Sequence, residues 1–175
     1  MPRNIEIKAR IDSVETFALR VAAMADNGPV EILQDDTFFR CDGGRLKLRT
    51  LVCGAGDLIF YRRQDGHGPK ELYFLRSRVA EPQRLIEVLS ASYGIVGRVQ
   101  KTRQLFTLGR SRIHLDRVKD LGDFIEIEVA LNDDELSDVG IQEAEQLMAR
   151  LGVMASQLVD AAYVDLLPKI QAPPI

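Results

Sequence analysis

Apolar and polar positions alternate with a period of two through most of this chain, the pattern of strands with one face buried. In Phe124-Ile125-Glu126-Ile127-Glu128-Val129, Ile125, Ile127 and Val129 share one face, and Phe124, Glu126 and Glu128 share the other. The N-terminal segment repeats the pattern, with Asn4, Glu6, Lys8 and Arg10 opposite Ile5, Ile7, Ala9 and Ile11. Arg45, Lys47 and Arg49 oppose Leu46 and Leu48, while Arg112, His114 and Asp116 oppose Ile113 and Leu115. Lys101 and Arg103 share a face, as do Tyr61 and Arg63.

Further strands are predicted near 30–41, 44–52, 57–63, 71–80, 95–108, 111–118 and 122–131. Gly-containing turns at 42–44, 54–56 and 108–110 and a corner at 121–123 separate them. Helices fall between the groups of strands. Asp12 and Glu15 have capping-box spacing, and the apolar stripe of Val14, Phe17, Ala18, Val21 and Ala22 runs on to Ala25. Asn27-Gly28-Pro29 is read as the stop of that helix. Pro82 opens a second helix that ends at Gly94. A third is predicted from Val139 to Leu151, and a short fourth over 156–167. One domain is expected over residues 1–170, with a loose tail at 171–175.

A solvated sheet face produces such alternation without any function. Segregation by sign argues for more, because solvated faces usually mix charges, and here whole strands carry cations alone or mainly carboxylates. Like charges on one strand face repel unless neutralised, and an oxygen-seeking divalent cation would neutralise the Glu126/Glu128 pair. Charged faces directed into one shared space would form a polar lumen, with the apolar faces outside beneath helices. The fold class expected is α+β: an antiparallel β-barrel of about eight strands forming a charged tunnel, with helices packed on the outside.

Composition narrows the function. The 175 residues are 46% hydrophobic and 28% charged, globular values, and the net charge of −3 leaves no footprint for nucleic acid. No apolar run reaches the ~18–20 residues of a membrane-spanning helix, and no signal-peptide-like stretch opens the sequence. No membrane association is therefore expected, and a cytoplasmic location is. Cys41 and Cys53 lack metal-ligand spacing and are read as reduced structural residues.

Glu6-Ile7-Lys8 resembles the back half of the E-x-E-x-K signature of the CYTH superfamily, which includes class IV adenylate cyclases and triphosphatases. The resemblance continues in order through Thr37-Phe38-Phe39, Leu46-Lys47-Leu48-Arg49, Ile59 to Arg63, Lys70, Lys101 to Arg103, Ile113-His114-Leu115-Asp116, Leu121-Gly122, Glu126-Ile127-Glu128 and Tyr163 to Leu167. The Ile-His-Leu-Asp segment leans to the class IV cyclase-like branch. The resemblance implies a tunnel-like barrel acting on ATP or another organic triphosphate with Mg²⁺ or Mn²⁺. Glu6, Asp116, Glu126 and Glu128 would hold the ions, and Glu6, Lys8, Glu126 and Glu128 would form the catalytic set. Lys8, Arg45, Lys47, Arg49, Arg63, Lys70, Lys101, Arg103, Arg112 and His114 would bind substrate, arginines as forks and lysines as point charges.

Some roles stay open at this stage. Asp116 is read either as an ion ligand or as an arginine's partner. His114 is read as a phosphate contact, an acid, or a buttress behind the ligands. His67, in a Gly-rich loop, is read as facing solvent. The first glutamate of E-x-E-x-K is Asn4 here, a neutral oxygen donor, so metal binding is expected to be weaker or to rest on Glu6, Glu126 and Glu128. ATP cyclisation is the expected reaction, with triphosphate hydrolysis and phosphate capture without turnover as alternatives. Any oligomer is expected to be a homodimer.

Overall fold

The computed structural model describes residues 3–52, 54–63 and 68–168. Eight strands close into an antiparallel barrel: β1 (Arg3–Arg10), β2 (Asn27–Phe39), β3 (Arg45–Thr50), β4 (Gly56–Arg63), β5 (Lys70–Val79), β6 (Ile95–Leu108), β7 (Ser111–Val118) and β8 (Gly122–Leu131). Around the ring the order is β1-β5-β4-β3-β2-β6-β7-β8. Two runs of hairpins, β2 to β5 and β6 to β8, are joined along β2/β6, and β1 closes the ring between β5 and β8. Closure leaves no open sheet edge of the kind that invites pairing with another chain.

The sidedness is inverted relative to a barrel with an oily interior. Ile5, Ile7, Ile113, Leu115, Ile125, Ile127 and Val129 point outward and are buried beneath α1 (Val14–Ala22) and α3 (Ser137–Leu151). Each fully buried aliphatic side chain contributes about 1.5–3 kcal/mol, so this layer dominates the stability of the β1/β7/β8 wall. Gly140 lets α3 lie close, since a Cβ there would sit 2.6 Å from Leu131 and 2.8 Å from Ile5. A second apolar layer, Phe39 and Leu48 with Leu46, Leu58 and Val79, lies under Leu85, Ile86 and Leu89 of α2 (Pro82–Tyr93). The even-spaced charged positions are left facing the lumen.

Several boundaries differ from expectation. The N-cap of α1 is Ser13, whose Oγ accepts from the Thr16 N–H, while Asp123 accepts from the Val14 N–H at 2.8 Å. The helix ends at Ala22, and Asn27-Gly28-Pro29 begins the long strand β2 instead of serving only as a stop. The third helix starts at Ser137. The expected helix over 156–167 is a 3₁₀ turn (Ala155–Gln157), an extended stretch, and the short helix α4 (Tyr163–Leu166). In that stretch the Val159 N–H donates to the Lys8 carbonyl, and Leu158 bridges to Ala9, so pairing with β1 replaces helical hydrogen bonds. Cys53, His67, the Arg63 side chain and the tail at 171–175 lie outside the described residues. Among the described residues no helix is long and apolar enough to cross a membrane.

Candidate functional site

The charged faces of β1, β8, β7 and β6 converge on one wall of the lumen. In register, Glu6 lies opposite Glu128 and Lys8 opposite Glu126, while Arg112 and His114 of β7 flank the same two glutamates. Sign segregation along each strand thus becomes pairing between strands. Glu126 receives Arg103 at 2.5 Å and Lys8 at 3.1 Å, and Glu128 receives Arg112 at 2.7 Å. Asp116, fully buried, is gripped by Lys101 at 2.7 Å, by both arms of the Arg103 fork at 2.6 Å, and by the Tyr163 hydroxyl at 3.0 Å. Burial alone would raise the Asp116 carboxyl pKa, but Arg103 and Lys101 outweigh it and hold it far below the usual range. Glu126 is likewise held well down by Lys8, Lys101 and Arg103 against its burial.

A second cluster spans β2 and β3. Asp36, 2% exposed, accepts from Lys47 at 2.7 Å and from Arg49 at 2.7 and 2.8 Å. Burial pushes the Lys47 ammonium down to about 8, with Arg49 and Lys101 adding to it against the pull of Asp36. Across the ring, β4 and β5 present a different surface. Ile59, Tyr61, Leu72 and Phe74 line the same cavity of about 160 Å³ as Lys8, Lys47, Arg49, Lys101, Arg103 and Glu126. A larger cleft of about 460 Å³, bounded by Leu33, Asp35, Thr50, Val52 and Lys119, contains neither Glu126 nor Glu128.

The C-terminal segment crosses one end of the barrel. Asp160 pairs with Lys70 at 3.0 Å, Asp165 pairs with Arg45, and Val164 occupies the space above Gly97, 2.4 Å from where a Cβ would stand. Tyr163 reaches inward, its ring under the Lys8 and Lys101 ammoniums at 4.2 and 4.8 Å and packed edge-on to Phe124. At the opposite end Arg112, with its side chain 45% exposed, marks the rim. Asn4 sits there too: with its amide oriented by its neighbours, it accepts from Arg112 and donates to the Arg3 carbonyl, each at 3.0 Å.

The expected site residues therefore separate by place. Glu6, Lys8, Lys47, Arg49, Lys101, Arg103 and Glu126 line the cavity, with Glu128, His114 and Asp116 in the same charged wall. Arg112 stands at the rim, and Arg45 and Lys70 are engaged by the C-terminal segment. Two residues of the site were given no role from sequence, although Tyr163 opens the last segment of the resemblance. Asp36 shares a strand face with Gln34 and Phe38 and is flanked by Asp35 and Thr37, so it lacks the apolar surroundings that mark Glu126 between Ile125 and Ile127. Tyr163 had no periodic signal, because its phenol enters through a segment that is neither strand nor long helix.

The donors present suit a divalent cation. Single ligand atoms of His114, Glu126 and Glu128 lie within 4.8 Å of one another, combining two hard carboxylates with one imidazole.

Comparison with known proteins agrees with this architecture. Residues 2–163 match the CYTH domain. The chain is 23% identical over 169 residues to adenylate cyclase CyaB of Aeromonas hydrophila, covering 91% of this chain and 86% of that one. It superposes on the PH1012 protein of Pyrococcus horikoshii OT3 with a TM-score of 0.86 at 23% identity, covering 94% of this chain and 99% of the other. It also resembles HpAC1 of Hippeastrum, which has a dominant triphosphatase activity, with a TM-score of 0.60 at 16% identity over 87% of this chain and 89% of that one. At these identities the structural likenesses establish the fold.

Proposed function

The chain belongs to the CYTH domain family, and on that premise we propose that it is a divalent-metal-dependent enzyme that converts ATP to cyclic AMP and pyrophosphate. The observation carrying the reading is the two-sided cavity. A cationic wall of Lys8, Lys47, Arg49, Lys101 and Arg103 suits a phosphate chain, and the facing Ile59, Tyr61, Leu72 and Phe74 suit an organic group attached to it. Inorganic tripolyphosphate has no use for the second wall. Glu6, Glu126 and Glu128 would hold the ion, which when bound supplies charge neutralisation at phosphate oxygens and a lowered pKa for the nucleophile. Arg49 and Arg103 present planar forks to phosphate oxygens, and Lys8, Lys47 and Lys101 act as point charges. In cyclisation the ribose 3′-hydroxyl gives up its proton to water, its oxygen bonds to the α-phosphorus, the bond from that phosphorus to the α–β bridging oxygen breaks, and pyrophosphate leaves with the electron pair.

Hydrolysis is the second reading, favoured by size. A cavity of about 160 Å³ is small beside the ~300–1,000 Å³ of typical small-molecule pockets, and so accommodates a phosphate chain more readily than a whole nucleotide. Incubation with ATP and Mg²⁺ or Mn²⁺, with products resolved, separates the readings. Cyclic AMP with pyrophosphate supports cyclisation, and ADP with phosphate supports hydrolysis. ATP bound but unchanged reduces the protein to a phosphate-binding module and overturns the proposal.

Two expected results test the cation wall and its rim. With its ammonium pushed down to about 8, Lys47 loses charge as pH rises through that value, so kcat/KM is expected to fall on a basic limb near pH 8. Lys47→Arg should carry that limb beyond pH 9, and an unmoved limb would exclude Lys47 as its source. At the rim, Asn4→Glu places a carboxylate beside Arg112 and draws it from Glu128, leaving Glu128 freer for the ion. The half-saturating Mg²⁺ concentration is expected to drop several-fold, and a metal titration superimposable on wild type would place position 4 outside the ion's reach.

A further inference from the structure

His114 is 5% exposed, and its Nδ1 has no hydrogen-bond partner. An imidazole nitrogen stranded inside a polar lumen is costly unless it has a use. Nδ1 is directed at two carboxylates, standing 3.7 Å from Glu126 Oε2 and 3.7 Å from Glu128 Oε1. That separation is too long for a hydrogen bond. It is close to the spacing of two donors around one ion, since ligands about 2.1 Å from a shared centre lie roughly 3.0–3.4 Å apart at octahedral or tetrahedral angles. Completing the set would draw Nδ1 and the two carboxylate oxygens, now within 4.8 Å of one another, inward together and loosen Arg103 from Glu126 Oε2.

We propose that His114 Nδ1 is a direct ligand of the divalent ion, making the site a mixed nitrogen–oxygen centre that prefers Mn²⁺ to Mg²⁺. The inference rests on the metal-dependent reading above and adds the identity of a ligand and the preference it imposes. Mg²⁺ favours all-oxygen surroundings and gives up water reluctantly, whereas imidazole is a good donor to transition-metal ions. The neutral ring can donate its Nδ1 lone pair while the proton resides on Nε2. Position 4 makes the nitrogen matter more, because Asn4 contributes no negative charge and its oxygen is already given to Arg112.

The test needs no turnover. Protein carrying ¹⁵N-labelled histidine is loaded with Mn²⁺ and studied by pulsed electron paramagnetic resonance. A ¹⁵N coupling to bound Mn²⁺ is expected, retained in His67→Gln and lost in His114→Gln. Titration calorimetry of the same proteins is expected to show a Mn²⁺-over-Mg²⁺ affinity ratio of about tenfold or more in the wild type, falling several-fold in His114→Gln. If His114→Gln does not fold, the label in His67→Gln decides alone, since His114 is then the only histidine left. Mn²⁺ bound without nitrogen coupling, or with a coupling that survives His114→Gln, overturns the ligand and leaves the metal-dependent reading standing. Failure to bind Mn²⁺ at all overturns both.

Discussion

Glu126→Gln is expected to lower turnover by roughly 10²–10³-fold, the scale of losing several kcal/mol of charge stabilisation by a bound ion. The same substitution should tighten the binding of tripolyphosphate measured without metal. In the resting lumen Glu126 occupies Lys8 and Arg103, two cations suited to phosphate. A neutral amide of similar size releases them. On the proposed reading substrate arrival is an exchange of partners, with phosphates taking the cations and the ion taking the carboxylates, so each ligand should raise the affinity for the other. Kinetic constants for the variant alongside metal-free calorimetry check this opposition. If turnover and phosphate affinity fall together, Glu126 acts as a scaffold for the basic wall and not as an ion ligand.

Asp116→Asn is expected to cost about 3–5 kcal/mol of stability, the range for breaking a buried ion pair and leaving its partners uncompensated. Lys101 loses its paired carboxylate, Arg103 is left with Glu126 alone, and Tyr163 loses an anionic acceptor. The pH dependence should change with it. The Asp116 carboxyl titrates near 3.9 when unfolded and far lower when folded, so its contribution is complete above about pH 5 and drains away as pH falls through the folded value. Urea unfolding from pH 7 to 3 should therefore show a steep acid slope in the wild type and a shallower one in the variant. A loss under about 1 kcal/mol with weakened Mn²⁺ binding would instead return Asp116 to the ion.

Much of the lumen was legible because a period of two is a local property. Arg45, Lys47 and Arg49 had to share a face whatever strand lay beside them, and Ile125, Ile127 and Val129 had to be covered. Neighbourhood was not legible. That Lys8 meets Glu126, or Arg103 spans from Asp116 to Glu126, depends on ring order and register, which are set when β1 closes between β5 and β8. Asp36 was hidden by its own neighbours, because among Gln34, Asp35 and Thr37 a carboxylate gives no contrast of the kind that Ile125 and Ile127 give Glu126. The stretch at 158–162 was hidden too, because its pairing with Lys8 and Ala9 overrides the helical pattern of its own residues.

Tyr163 and the segment around it cross one end of the barrel and line the cavity there, so on the proposed reading substrate and products are expected to favour the opposite end, where Arg112 stands. Whatever sits nearest Tyr163 leaves last. If the proposed reaction draws the phosphates to Lys8, Lys101 and Arg103 beside Tyr163, the organic product is expected to depart first and the inorganic fragment to follow. Under the proposed cyclisation, ordered exit is expected to leave a kinetic signature: added pyrophosphate should compete with ATP for the empty enzyme, while added cyclic AMP should inhibit noncompetitively.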